Sequence, residues 1–145
     1  MSIFSSINTS ASALTAERTR MDVISKNLAN ANTTRTQNGD PYKRQVVILK
    51  QAENQSSFKS IFQSKMNKSS KGVEISAIVE DDTPFRQVYD PGHPDADGKG
   101  YVKMSNVDTI TEMVDMIGAT RSYEANATAI STTKNMLLKA LEIGK

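Results

Sequence analysis

The stretch TITEMVDMIGATRSYEANATAISTTKNMLLKALEI, residues 109–143, decides how this chain folds. Within it Met116, Tyr123, Ile130 and Leu137 recur every seven residues, and Met113, Leu138, Leu141 and Ile143 widen the row into a stripe. A seven-residue apolar repeat keeps one seam of a helix facing a partner helix, which is coiled-coil spacing. The spacing predicts one helix of roughly 52 Å at about 1.5 Å per residue. The polar residues Ser105–Asp108 cap its start and Gly144 closes it. Gly118 in its interior costs about 1 kcal/mol relative to Ala. With Ala119, Ala125, Ala127 and Ala129 it is expected to permit close approach by neighbours.

The opposite end of the chain repeats the pattern. Ile7, Leu14, Met21 and Leu28 recur every seven residues, with Ile3 and Ile24 beside them on a helical wheel. Residues 3–31 fit a helix with a polar face of Glu17, Arg18, Asp22 and Lys26. The two rows of four are the candidate assembly interface. An intramolecular two-helix core is the plainer reading of the same residues, but helices this long, packed only on each other, leave the edges of their stripes exposed. The fold expected is mainly α with a small β region: long terminal helices forming a coiled coil, and a short β-rich middle with an extended loop. The boundaries fall at 1–35, 36–105 and 106–145.

The middle changes character after an Asn-rich segment in which Asn38-Gly39-Asp40-Pro41 is a turn by its chemistry. Val46–Leu49 is a short apolar run, and Val73, Ile75, Ala77 and Val79 alternate with polar neighbours, the period of a half-buried strand. Phe85–Tyr89 and Tyr101–Met104 are further strand candidates. Between the first two lies 51–71, polar apart from Phe58, Ile61, Phe62 and Met66, which reads as either a short helix or a mobile insertion. Asp90, Pro91, Gly92, His93, Pro94, Asp95, Asp97 and Gly98 belong to a loop too rich in Pro and Gly for a regular helix, and are read as structural.

Several function classes are excluded. The chain has 145 residues, 37% hydrophobic but only 6% aromatic and without Trp, so it has little to fill a large globular interior. A net charge of +2 from 18 basic and 16 acidic residues does not make a nucleic-acid or anionic-membrane surface. No cysteine is present for a disulfide or thiolate site. The first twelve residues lack the basic start and apolar run of a cleavable signal, and no run approaches the roughly 20 apolar residues of a membrane span. His93, Asp95, Asp97 and Gly98 imitate the start of a calcium loop, yet Met104 stands where its bidentate Glu belongs. Adjacent Asp81 and Asp82 read as a solvated turn, and Lys43-Arg44 as a solvated surface pair. With one histidine and no convergent acid/base set, neither an enzyme nor a cofactor is expected.

Ser25-Lys-Asn-Leu-Ala-Asn-Ala-Asn-Thr33 resembles the amino-terminal signature of bacterial flagellar rod and hook proteins. The sequence from Val88 through the His93 loop to Val102, with Asn106-Val-Asp108, Glu112-Met-Val114 and Arg121-Ser-Tyr-Glu-Ala-Asn126, resembles the proximal-rod members of that axial family. Met104-Ser105 departs from the family, which places a Pro before the Asn-Val-Asp triplet. The resemblance implies a structural, torque-transmitting subunit whose terminal helices form the inner tube of the rod, with the β-rich middle outside. It implies as partners further copies of the chain, the rod proteins FlgB, FlgF and FlgG, and FliE, and export by the flagellar type III apparatus without a cleavable signal. The place implied is the basal body, where the rod crosses the cell envelope. The competing reading is a helical export chaperone or adaptor for another secreted protein.

Overall fold

The computed structural model describes residues 3–52 and 72–143. The first helix, α1, spans Ile3–Ala29. Thr9, Thr15 and Thr19 satisfy their hydroxyls within it, each donating to the carbonyl four residues earlier at 2.9, 3.2 and 3.2 Å, a pattern that slightly weakens a helix and leaves more of its stability to packing. The helix stops two residues before the expected limit. There the Asn30 side chain donates to the Lys26 carbonyl at 2.9 Å, and the Thr33 amide turns back to the Asn30 carbonyl at 3.0 Å. The expected Asn38–Pro41 turn follows. Gly39, at φ +90°, lets its amide reach Thr36 while the Thr36 amide reaches Asp40.

Among the described residues, four strands make two separate antiparallel ribbons. Strand β1 (Gln45–Gln51) pairs with β2 (Val73–Glu80), and β3 (Arg86–Tyr89) pairs with β4 (Tyr101–Met104). The even alternation expected of β2 is not kept. Val73, Glu74 and Ile75 are half-buried, and everything from Ser76 to Glu80 is exposed, Ala77 and Val79 included. A register shift at Ile48/Leu49, where Ile48 faces Ala77 and Leu49 faces Ile75, also leaves Ser76 extra and bends the ribbon. The expected insertion, including Phe58, Ile61, Phe62 and Met66, lies from residue 53 onward outside the described residues, as does Gly144.

The second helix, α2, spans Thr109–Ile143. Asp108 caps it, accepting from the Ile110 amide at 3.2 Å and the Thr111 hydroxyl at 2.7 Å. These bonds favour the ionised form and hold its pKa below the usual carboxylate value, the Thr111 hydroxyl most of all. The Met104-Ser105 departure is accommodated by a buried Ser105 whose hydroxyl accepts from the Val107 amide at 3.3 Å. Helix α1 is the centre of the molecule, packed on α2 and on both β1 and β2. That suits a two-stranded ribbon, which is marginal in water alone. Among the described residues the buried apolar ones are few and small: Ala16, Val23, Ile24, Ala31, Val102, Val107 and Ala119.

Candidate assembly interface

The two helices run antiparallel, with Asn27 beside Glu112 and Met21 beside Thr120. On α2 the residues that lose solvent are Glu112, Met116, Ala119, Asn126, Ile130, Thr133 and Leu137, with Tyr123 at the limit at 37% exposure. Their spacing of alternately four and three residues (Tyr123 included) marks a single face turned to α1. The expected row Met116, Ile130 and Leu137 is therefore half-buried within the subunit, and Tyr123 is only slightly more open. On α1, Ile7, Leu14, Met21 and Leu28 are all half-buried, and the fully buried positions are Ala16, Val23, Ile24 and Asn27 beside that row. Neither row is fully covered by its own chain.

Where α1 ends and α2 begins, the seam becomes polar. Asn27 and Glu112 are each 1% exposed. The Asn27 amide donates to the Gln45 carbonyl at 2.9 Å and to Glu112 Oε2 at 3.0 Å, while its oxygen accepts from the Tyr42 hydroxyl at 3.0 Å and the Gln45 amide at 2.9 Å. All four hydrogen-bonding positions of the side chain are filled. The other Glu112 oxygen takes Arg44 Nε at 2.6 Å, and the same guanidinium reaches Asp81 at 3.4 Å and Asp115 at 3.5 Å. Glu112 also lies in the first turn of α2, where the helix dipole favours a negative charge.

Electrostatics follow this geometry. Burial alone would lower the Arg44 pKa, but the hydrogen bonds and charges of Glu112 and Asp81 outweigh it and raise it. Burial, followed by the charges of Glu112 and Glu80, pushes the Tyr42 hydroxyl up. Asp81 is held below the usual carboxylate range by the Thr83 amide first and by Arg44 in addition. Asn106 completes the joint: it accepts from the Arg44 amide at 2.7 Å and donates to the Asp81 and Thr83 carbonyls, both at 3.1 Å.

Arg44 therefore corrects the sequence reading, since it is an ion-paired strut among three carboxylates and not a solvated surface residue; only Lys43 keeps an exposed pairing, with Glu80 at 3.8 Å. Asp81 is likewise half-buried in the joint, not part of a solvated turn. The signal that identifies Glu112 is its phase: it stands seven residues before Ala119, on the face turned to α1.

The 90–100 loop is held by its own turns. Asp97 accepts from the Lys99 and Tyr101 amides at 2.8 and 2.9 Å, Asp90 from the Gly92 amide at 3.2 Å, and His93 Nδ1 from the Asp95 amide at 3.1 Å. Thr34 donates to Asp95 at 2.8 Å and ties the loop to the turn after α1. A Cβ on Gly100, at φ +81°, would press on the Tyr89 ring and Pro91, beneath an edge-to-face Tyr89–Tyr101 pair with centroids 5.2 Å apart. Pro94 and Gly98 are exposed. Among the described residues no group of three or more His, Cys, Asp or Glu is arranged to hold a metal ion.

A chain of two long antiparallel helices around a small β middle, with a polar joint at one end and bare apolar surface elsewhere, is built for packing against neighbours. Two family models match it: "Flagella basal body rod protein" over residues 7–36, and "Flagellar basal body rod FlgEFG protein C-terminal" over residues 99–143. The class is thus the flagellar basal-body rod proteins, which are structural and not enzymatic. Full-length similarity then specifies the member. The flagellar basal-body rod protein FlgC of Bacillus subtilis is 55% identical over all of both chains, that of Borreliella burgdorferi 46% identical over 99% of this chain and 98% of its own, and that of Salmonella typhimurium 35% identical over all of both. The chain belongs to the FlgC family.

Proposed function

We propose that the protein is an axial subunit of the flagellar rod whose two helices pack lengthwise against those of neighbouring subunits as a coiled coil, forming part of a hollow, torque-transmitting shaft. The observation that carries this is the uneven cover on α2. One of its faces lies on α1, while Ile110, Val114, Ile117 and the Leu138–Ile143 end stay open to solvent. An apolar surface of that extent on a soluble subunit marks an interaction site. Membership of the FlgC family supports the rod over an export chaperone as its destination. The rows Ile7, Leu14, Met21, Leu28 and Met116, Tyr123, Ile130, Leu137 are the proposed packing seams, and the His93 loop a structural element outside them.

In this reading the neighbours are other copies, FlgB, FlgF, FlgG and FliE. The chain reaches them through the type III export apparatus in an unfolded state. No helix among the described residues is long and apolar enough to cross a membrane, so the rod position would be held by protein contacts. Imaging of purified basal bodies carrying a tagged copy tests the proposal. Density for the tag on the rod is the expected result; a soluble stoichiometric complex with one client, and no tag in basal bodies, would overturn it.

A further inference from the structure

The turn that joins α1 to β1 carries a pair of residues with a chemistry of its own. Of the ten asparagines in the chain, Asn38 alone is followed by glycine. Its side chain is exposed and has no hydrogen-bond partner among the described residues. Gly39 stands at φ +90°, a conformation that side chains disfavour, and the place where a Cβ would sit on it is open space. The glycine that the turn requires therefore leaves its own amide nitrogen unscreened beside the Asn38 carboxamide. One restraint remains: the Gly39 N–H donates to the Thr36 carbonyl at 3.0 Å.

Comparable positions elsewhere are held back. Asn27 and Asn106 are fixed by hydrogen bonds through both ends of their carboxamides. Asn8, Asn126 and Asn135 lie inside helices, where the following amide is locked in the helical backbone. Asn32 precedes Thr33, whose branched side chain crowds the next amide. The other acidic or amide residue before a described glycine in a turn, Asp97 before Gly98, has its carboxylate turned to the Lys99 and Tyr101 amides at 2.8 and 2.9 Å.

We propose that Asn38 is the deamidation site of this chain, and that the folded turn around it acts as the brake on the reaction. The Gly39 nitrogen attacks Asn38 Cγ, the Cγ–Nδ2 bond breaks, and Nδ2 leaves as ammonia with the proton given up by the Gly39 N–H. Water then opens the cyclic imide. Addition at the side-chain carbonyl breaks its bond to the Gly39 nitrogen and leaves an aspartate; addition at the main-chain carbonyl leaves an isoaspartate, with the chain running through the side chain. Nothing is oxidised or reduced. The bond from Gly39 to Thr36 slows the first step, because it ties down the proton that must leave. Either product adds a negative charge beside Asp40. The isoaspartyl form also lengthens the main chain inside the turn, where the Thr36 amide and hydroxyl both donate to the Asp40 carbonyl at 2.9 Å.

The test ages the purified full-length chain at neutral pH, with and without urea. Trypsin releases residues 36–43 as one fragment. Within it isoaspartate has a single source, since Asp40 precedes Pro41, which has no N–H with which to close the ring. Asn38→Gln is the control: it alters an exposed side chain, the fold is expected to persist, and the longer carboxamide would have to close a larger, slower-forming ring. Isoaspartate, read by isoaspartyl methyltransferase labelling and by fragment mass, is expected in 36–43 before any other asparagine fragment converts. It should form severalfold faster in urea and be absent from the same fragment of Asn38→Gln. Earlier conversion of another asparagine in the folded chain, no conversion in 36–43, or equal labelling of that fragment in Asn38→Gln would overturn the proposal. A rate in urea no faster than in the folded chain would also overturn it, because the turn would then be no brake. None of these outcomes touches the rod reading.

Discussion

At the end where α1 finishes and α2 starts, the helical pair is fastened by a buried joint. At the end where α2 finishes, its apolar side chains face water. The first region has Asn27 and Glu112 almost wholly buried and fully hydrogen-bonded, with Arg44 bridging to Asp81 and Asp115. The second exposes Leu141 and Ile143 at 70% and 86%. Buried polar networks fix one geometry and are costly to break, whereas apolar surface is indifferent to geometry until a partner arrives. One chain thus holds a joint that fastens helices and ribbon, and an open apolar end that the proposed rod packing would cover. Ordering costs about 1–2 kcal/mol per residue, so helix at the open end is only weakly held before assembly.

The contrast can be broken first at the joint. Glu112→Ala removes the closest partner of the Arg44 guanidinium, which keeps Asp81 and Asp115, and one acceptor of the Asn27 amide, and should destabilise the isolated subunit by about 3 kcal/mol. Denaturant unfolding measures it; a loss below about 1 kcal/mol would mean that the joint is not what holds the helices. Gly72→Ala should come next, at roughly 1–3 kcal/mol. Its new Cβ collides with Ser12 Oγ, which accepts from the Val73 amide at 3.0 Å and anchors the start of β2 on α1.

On the seam the expected order of effects reverses between stability and assembly. Tyr123→Asp should change the unfolding free energy of the subunit by about 1 kcal/mol, less than either change above, because the side chain is only partly covered by its own chain. It should nevertheless block incorporation into the rod and abolish swimming, while secretion of the subunit continues. Normal motility would remove Tyr123 from the packing face.

The smallest effect concerns the loop. The Tyr101 and Lys99 amides hold the Asp97 carboxyl below its ordinary range. A group with a lowered folded pKa contributes stability that is present above its unfolded value, about 3.9, and lost as pH falls through the folded one. The loop amides should therefore lose protection, measured against their intrinsic exchange rate at each pH, as the pH drops below about 4, and Asp97→Asn should flatten that dependence.

Much of this architecture was legible in the sequence, since heptad spacing and the Asp108 cap are local signals. The 109–143 helix and the four strands stand where periodicity put them, with ends shifted by a residue or two. The joint was not legible, because it depends on residues that meet only after folding: Asn27 and Glu112 are 85 positions apart, and Arg44 looks solvated until three carboxylates surround it. The failed alternation in β2 was not legible either, since only the placement of the ribbon on α1 decides which of its residues are covered. Gly118 points the other way. Its missing Cβ meets open space within the subunit, so the close approach expected there belongs to a neighbour if it occurs.

Hydrogen exchange on the dilute full-length subunit tests the contrast between joint and open end most directly. Protection should be concentrated in residues 20–29, in the β strands and in residues 109–120, and should fall steadily toward Ile3 and toward Ile143. Strong and uniform protection along both helices in the monomer would contradict it, since the open end would then be stable without any partner.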